Sequence, residues 1–321
     1  MTQSVLYFLS GPTAVGKTAV ALEWAAREGA EILSCDAVQF YRGMDIGSAK
    51  PSAGERQGIP HHGIDCAEVD QMFTVGNFQR LAQEVIPRLM DNGKKVLVTG
   101  GSGFYLSSFF QSFAHLPPVP AQLRAEVRRC EEEKGLAGLQ AWLHELDPAA
   151  AGEVDLANPR RVARAIERCV LTGQTLAQQK TEQAAAPLYW DRFERRICLL
   201  DRMREDLNAR IAQRVRAMRE AGLEEEVRRL RERGLERNPS AARAIGYRET
   251  LRWLDGEEES PEAWDEAIQA GTRRLARKQR IWFRRFFPEA WAQRIILPAD
   301  REACAEELQF VSADKEFPCG G

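Results

Sequence analysis

Ser4-Val5-Leu6-Tyr7-Phe8-Leu9-Ser10-Gly11-Pro12-Thr13-Ala14-Val15-Gly16-Lys17-Thr18 decides the architecture of this chain. Its first half is a short apolar run rich in β-branched and aromatic residues, the composition of a strand buried on both faces. Its second half fits Gly-x-x-x-x-Gly-Lys-Thr in full, after a strand and before a helix, as a phosphate loop requires. The glycines let the backbone cup an anion, the helix N-terminus adds partial positive charge and Lys17 a full one. Gly11, Pro12, Thr13, Ala14, Val15, Gly16, Lys17 and Thr18 therefore form a phosphate cradle, with Thr18 placed to ligate Mg²⁺. The apolar start lacks the basic n-region and the cleavage site of a signal peptide and runs straight into the loop.

Outward from this stretch, strands and helices alternate. A second strand is expected near Ile32–Cys35 and a third at Val96–Thr99, with helices over 17–28 and about 75–92, the latter closed by Asn92-Gly93. This alternation predicts an α/β fold built on a P-loop NTPase-like parallel sheet core. The texture changes at Pro117-Pro118-Val119-Pro120. Strand signals then become scarce until Arg195–Leu200, so 116–191 reads as a helical insertion domain and 1–115 with 192–321 as the core. Leu207, Ile211, Val215 and Met218, followed past Gly222 by Leu223, Val227 and Leu230, predict one long amphipathic helix. A last strong helix covers about 261–287, with Leu275, Trp282 and Phe286 on its apolar face, and the acidic tail after Pro298 is expected to be peripheral.

With 321 residues, 44% of them hydrophobic and 29% charged, the chain has the composition of a soluble globular protein, and no apolar run has the length of a membrane span. Its seven cysteines are scattered, without a CxxC pair or zinc spacing, which fits a reducing cytoplasm and small buried side chains. A net charge of −2 argues against wholesale coating of nucleic acid. The average hides segregation, however. Arg273, Arg274, Arg277, Lys278, Arg280, Arg284 and Arg285 crowd into 273–285 without an acid, while 255–266 is acidic without a base.

The chemistry is less conventional than the loop. A nucleotide hydrolase carries an Asp at the end of a second strand to hold Mg²⁺, but Val96–Thr99 runs into Gly100-Gly101-Ser102-Gly103. That turn either lets a large ligand approach the backbone or is simply tight. Asp36 follows the second strand, at the carboxyl edge where α/β sites assemble, and is either a general base, a Mg²⁺ ligand, or a helix cap or turn former. Tyr41–Pro51 is too rich in glycine for a regular element and reads as a loop near the site. His61 and His62, being adjacent, suit a structural or substrate contact better than a metal.

Taken in order, GPTAVGKT at 11–18, CDAVQFYRGMDIGSAKP at 35–51, HHGID at 61–65, VLVTGGSGFYL at 96–106, NPRRVARAIE at 158–167, LTGQ at 171–174, RIAQRVRAM at 210–218, ARAIGYRE at 242–249 and RRLARKQRIWFRR at 273–285 resemble the tRNA dimethylallyltransferases, also called tRNA isopentenyltransferases. The resemblance spans nearly the whole chain. It departs at Ala37, where the family has Ser, and at Ser102, where it has Thr.

What the resemblance implies is transfer of a dimethylallyl group from its diphosphate to the exocyclic amine of the adenosine next to the anticodon. Asp36, Thr13 and Arg214 would be catalytic: Asp36 accepts the amine proton, Thr13 bonds a proximal phosphate oxygen and Arg214 clamps the diphosphate opposite Lys17. Residues 11–18 would hold the diphosphate, with Mg²⁺ as cofactor through Thr18. Contacts to the tRNA anticodon stem-loop would come from Asp36, Ala37, Val38 and Gln39, from Ser102 and Arg124, and from Arg160, Arg161, Val162, Ala163 and Arg164. Further contacts would come from Arg243, Ala244, Ile245, Gly246, Tyr247 and Arg248, and from Arg273, Arg277, Lys278 and Arg280. The resemblance also implies a monomer in the cytoplasm with no membrane partner. Two rivals stand beside it: a small-molecule kinase using ATP in the same loop, and a non-catalytic RNA-binding protein with a vestigial P-loop.

Overall fold

The computed structural model describes residues 4–113, 119–289, 292–299, 301–302 and 304–313. Pro117, Pro118 and Cys319 lie outside the described residues, as do the expected domain boundary at 115/116 and part of the acidic tail.

The chain divides into two compact units, Met1–Phe109 with Trp190–Gly320 and Phe110–Tyr189. In the first, β1 (Val5–Ser10) leads through the P-loop into α1 (Lys17–Glu28), followed by β2 (Ala30–Ser34), the short β3 (His61–His62), α2 (Val75–Asp91), β4 (Lys95–Gly100) and α3 (Gly103–Ser107). The second holds α4 (Ala121–Leu146), α5 (Pro159–Thr172) and α6 (Leu176–Ala185) around a core of its own that includes Leu139, Leu143, Val162 and Ile166. The first unit resumes with β5 (Glu194–Arg202), α7 (Arg204–Glu220), α8 (Leu223–Glu232), α9 (Pro239–Ala242), α10 (Tyr247–Leu254), α11 (Pro261–Phe286), β6 (Gln293–Leu297) and β7 (Val311–Ser312).

The sheet order is β3-β2-β4-β1-β5-β6, all parallel, with β7 antiparallel on β5. Strand alternation sends Tyr7 and Leu9 to one face, against Trp24, Ile211 and Val215, and Phe8 to the other, where it meets Phe109 edge-on at 5.1 Å. Each fully buried side chain of this kind contributes roughly 1.5–3 kcal/mol. Because β1 connects leftward to β2 and β4 connects rightward to β5, the carboxyl ends of β1 and β4 form the topological switch point where α/β ligands bind.

Three expectations change. The single long helix is two, α7 and α8, broken at Gly222 with φ 93°, a left-handed position that ends one helix and starts the next. On α11 the buried face runs through Trp264, Ile268, Ala276 and Phe283, while Leu275 is exposed. The tail is not peripheral: Ala305 and Leu308 are buried, and Ala305 bonds both Glu23 and Arg27 of α1. Of the six described cysteines only Cys35, Cys169 and Cys198 are buried.

Candidate active site

The P-loop leaves β1 through Gly11 at φ 148°, where a Cβ would stand 2.2 Å from the Leu200 carbonyl oxygen, so only glycine fits. Ala14 (φ 63°) and Gly16 (φ 106°) complete the reversal into α1, whose N-terminus no side chain caps. The loop is gripped from behind. Arg202, fully buried at the end of β5, donates from Nε to the Val15 carbonyl at 2.9 Å, from Nη1 to Asp206 (2.9 Å) and the Pro298 carbonyl (3.0 Å), and from Nη2 to Glu302 (3.1 Å). Arg210 donates to the Ala14 carbonyl at 3.0 Å and pairs with Glu302. In a trans peptide the carbonyl and the following N–H point in opposite directions. Holding the carbonyls of Ala14 and Val15 outward therefore turns the N–H groups of Val15 and Gly16 into the cup.

Lys17 folds back on its own loop, donating to the carbonyls of Gly11 (2.9 Å) and Pro12 (2.7 Å). Burial pulls its ammonium down to about 7; nearby Asp36 raises it and Arg214 lowers it further. Arg214 is likewise lowered by burial and raised by Asp36. Lys17, Asp36 and Arg214 thus feel one another's charge, and Arg214, from α7, is no solvated surface residue. Its Nη2 reaches the Ser48 carbonyl at 3.5 Å.

Asp36 is both a turn former and a free carboxylate. Its Oδ1 accepts the N–H of Val38 (2.9 Å) and of Gln39 (3.4 Å), while Oδ2 accepts no hydrogen bond among the described residues. Gln39 is aimed by the buried Ser34 hydroxyl, which donates to its Oε1 at 2.8 Å, leaving the amide NH₂ for a ligand. Cys35 is no nucleophile, since burial and then Asp36 push its thiol well above its ordinary value. Ala37 is exposed and adds no polar atom.

The loop 41–51 is built around two buried charges. Lys50 bridges Asp45 (2.7 Å) and Asp65 (2.6 Å), tying the DIGSAKP and HHGID segments together. Glu226 of α8 accepts the N–H groups of Asp45, Ile46 and Gly47 and the Tyr247 hydroxyl at 2.7 Å. A Cβ at Gly47 would stand 2.7 Å from the Tyr247 ring. Tyr247 is therefore wholly buried, and its expected contact with tRNA is corrected to a supporting role. The same correction applies to Val162, which lies in the core of the insertion at 0% exposure. His62 bonds Glu31 at 2.7 Å and His61 the Ile59 carbonyl at 2.9 Å, both structural contacts.

The glycines of the Gly100–Gly103 turn make room for the protein itself. A Cβ at Gly100 would meet the Cys35 carbonyl oxygen at 2.1 Å, one at Gly101 the Gln279 amide nitrogen at 2.6 Å, and one at Gly103 the Trp282 ring at 2.4 Å. Ser102 is half-buried within this turn.

The basic stretch 273–285 divides. Arg280 pairs with the buried Asp201 at 3.0 Å and Arg273 with Glu266, whereas Arg277 and Lys278 are exposed and have no ion pair among the described residues. Arg243 is also exposed and unpaired among the described residues, while Arg248 pairs with Glu249; Ala244 and Ile245 are half-buried and Gly246 is buried. In the insertion, Arg124 and Ala163 line one groove of about 520 Å³ with Arg128, Glu131 and Glu167. Arg161 pairs with Asp155, Arg164 with Glu167, and Arg160 is exposed.

Sequence reasoning missed Arg202, Glu302 and Gln279. The only cues were a charged pair closing the apolar run of β5 and one uncharged polar residue inside a basic run.

A P-loop at the switch point of a parallel sheet, facing the carboxylate of Asp36 and the second cation Arg214, makes a candidate phosphate-binding site. The sequence profile of the IPP transferase family matches residues 39–286, and the chain belongs to that family. It is similar to the tRNA dimethylallyltransferase of Opitutus terrae, 45% identical over 284 residues that cover 88% of this chain and 91% of that one. Among solved structures it resembles the tRNA isopentenylpyrophosphate transferase of Bacillus halodurans, with a TM-score of 0.65, 33% identity and coverage of 92% and 91%. A eukaryotic dimethylallyltransferase acting on tRNA shares the fold at a TM-score of 0.77 and 24% identity, over 92% of this chain and 74% of that one. Among the described residues no helix is long and apolar enough to cross a membrane.

Proposed function

We propose that this chain, working as a monomer, transfers the dimethylallyl group of dimethylallyl diphosphate to the exocyclic N6 amine of the adenosine adjacent to the anticodon in tRNA. The observation that carries the reading is the placement of Asp36 in the field of both Lys17 and Arg214, at the mouth of a P-loop. The diphosphate occupies the loop. The bond from the prenyl carbon to the bridging oxygen breaks as the bond to N6 forms, pyrophosphate leaves, and the amine proton passes to the open Oδ2 of Asp36. Lys17 and Arg214 oppose the charge that gathers on the leaving oxygen, and Thr13 bonds a proximal phosphate oxygen.

Magnesium fits this donor set. Thr18 is exposed on the first turn of α1, and Mg²⁺ suits a site with one or two protein oxygens plus substrate phosphates and water. When bound it would neutralise phosphate charge; Thr18 would hold it.

The adenosine has to leave the anticodon stack to reach Asp36, with Gln39 offering its amide to the base edge and Asp36, Ala37, Val38 and Ser102 around it. Phosphate contacts fall to the basic residues Arg160, Arg161 and Arg164 in the insertion and, in the core, to Arg243, Arg248, Arg273, Arg277, Lys278 and Arg280, with Arg124 touching the loop near the extruded base. Incubation with labelled dimethylallyl diphosphate, Mg²⁺ and unmodified tRNA should label the tRNA, with the product nucleoside fixed by mass. Phosphorylation of a small alcohol by ATP, with no labelled tRNA, would refute the reading. Replacing Arg277 and Lys278 together by Ala should weaken tRNA binding severalfold and flatten its dependence on salt; an unaltered salt slope makes them an ordinary solvated face.

A further inference from the structure

Gln279 of α11 spans the mouth of the site. Its Oε1 accepts the N–H of Thr13 at 2.8 Å, and its Nε2 donates to the carbonyl of Gly101 at 2.8 Å. The two partners are main-chain groups of the loops that follow β1 and β4, the strands flanking the switch point. A primary amide offers a donor and an acceptor in one plane, and both are used here. Neighbouring residues fix the helix there: Arg280 is locked to the buried Asp201, Phe283 is buried, and Trp282 lies against Gly103. Gly101 has no side chain where the Gln279 amide sits, 2.6 Å from where its Cβ would be.

Resting on the function proposed above, we infer that Gln279 is a positioning residue that sets the spacing between the P-loop and the Gly100–Gly103 turn. It claims the Thr13 N–H, so that residue meets the diphosphate through its hydroxyl and not through its backbone. Through the Gly101 carbonyl it also fixes the turn that carries Ser102 beside the base. Small displacements of two reacting partners are costly, on the order of a hundredfold for about 1 Å.

The test is a double-mutant cycle on the full chain, read by pyrophosphate binding in calorimetry and by single-turnover rate. Gln279→Glu keeps the acceptor for Thr13 but turns an oxygen toward the Gly101 carbonyl; Gln279→Leu removes both bonds. The expected order of pyrophosphate affinity is wild type, then Glu, then Leu, with rates about tenfold to a hundredfold lower in both variants. Gly101→Ala should impair the wild-type background, where the new methyl strikes the Gln279 amide, and cost little in Gln279→Ala, where that amide is gone. Additive effects of Gly101→Ala and Gln279→Ala, or unchanged affinity and rate in all variants, overturn the inference. Thermal midpoints separate these outcomes from misfolding. The cycle on pyrophosphate needs no prenyl transfer, so it stands or falls apart from the reaction proposed above.

Discussion

Replacing Asp36 by Asn is expected to slow prenyl transfer by about 10²–10⁴-fold while leaving tRNA affinity near that of the parent chain. The amide keeps the shape and an oxygen acceptor, so the N–H groups of Val38 and Gln39 retain their partner and the turn after β2 survives. What is lost is the base. One secondary effect has to be removed by design. Asp36 raises the Lys17 ammonium, so its neutralisation drops Lys17 further below about 7 and would weaken diphosphate binding at neutral pH. Single-turnover rates at saturating diphosphate, compared at pH 6 and pH 8, separate the two contributions. A deficit present at both pH values identifies the proton acceptor; one that vanishes at pH 6 would assign Asp36 to Lys17 alone.

Lys17→Met should weaken diphosphate binding and, through the transition state, cost about 10²–10³-fold in rate, the scale for removing one preorganised charge donor. The parent chain carries a pH signature that this variant lacks. In the free site the Lys17 ammonium titrates near 7, held down by burial, whereas a bound diphosphate favours the charged form and raises it. Above pH 7 binding must therefore take up a proton, and affinity falls as pH rises. Calorimetry of pyrophosphate binding at pH 8 in two buffers of different ionisation enthalpy should show that uptake. Equal heats in both buffers would mean that Lys17 is already charged.

The strand-loop-helix around Gly11–Thr18 was legible because three independent signals coincide there: a β-rich apolar run, fixed glycine spacing and a following helical pattern. Asp36 was legible as a position, at the end of a strand, but its neighbours came only through the family resemblance and not from the local sequence. Arg214 belongs to α7, almost two hundred residues from the P-loop, and only tertiary packing brings the two into one field. Tyr247 misled for the opposite reason, since an aromatic in a basic, glycine-marked segment looks like a surface contact until Glu226 and Gly47 are seen to enclose it. The break at Gly222 was hidden because the apolar spacing continues across it. The acidic tail deceived by composition: Glu302 is useful because it is acidic, lying between Arg202 and Arg210.

That arrangement has a kinetic consequence. A P-loop whose Ala14 and Val15 carbonyls are already fastened to two arginines does not have to be organised by the molecule it receives. The conformational entropy of the loop is lost when the chain folds, not at each encounter, so every turnover begins from a cup of finished shape. Pyrophosphate capture should then be a single second-order step, its observed rate climbing in proportion to concentration, without the plateau that a slow loop rearrangement would impose.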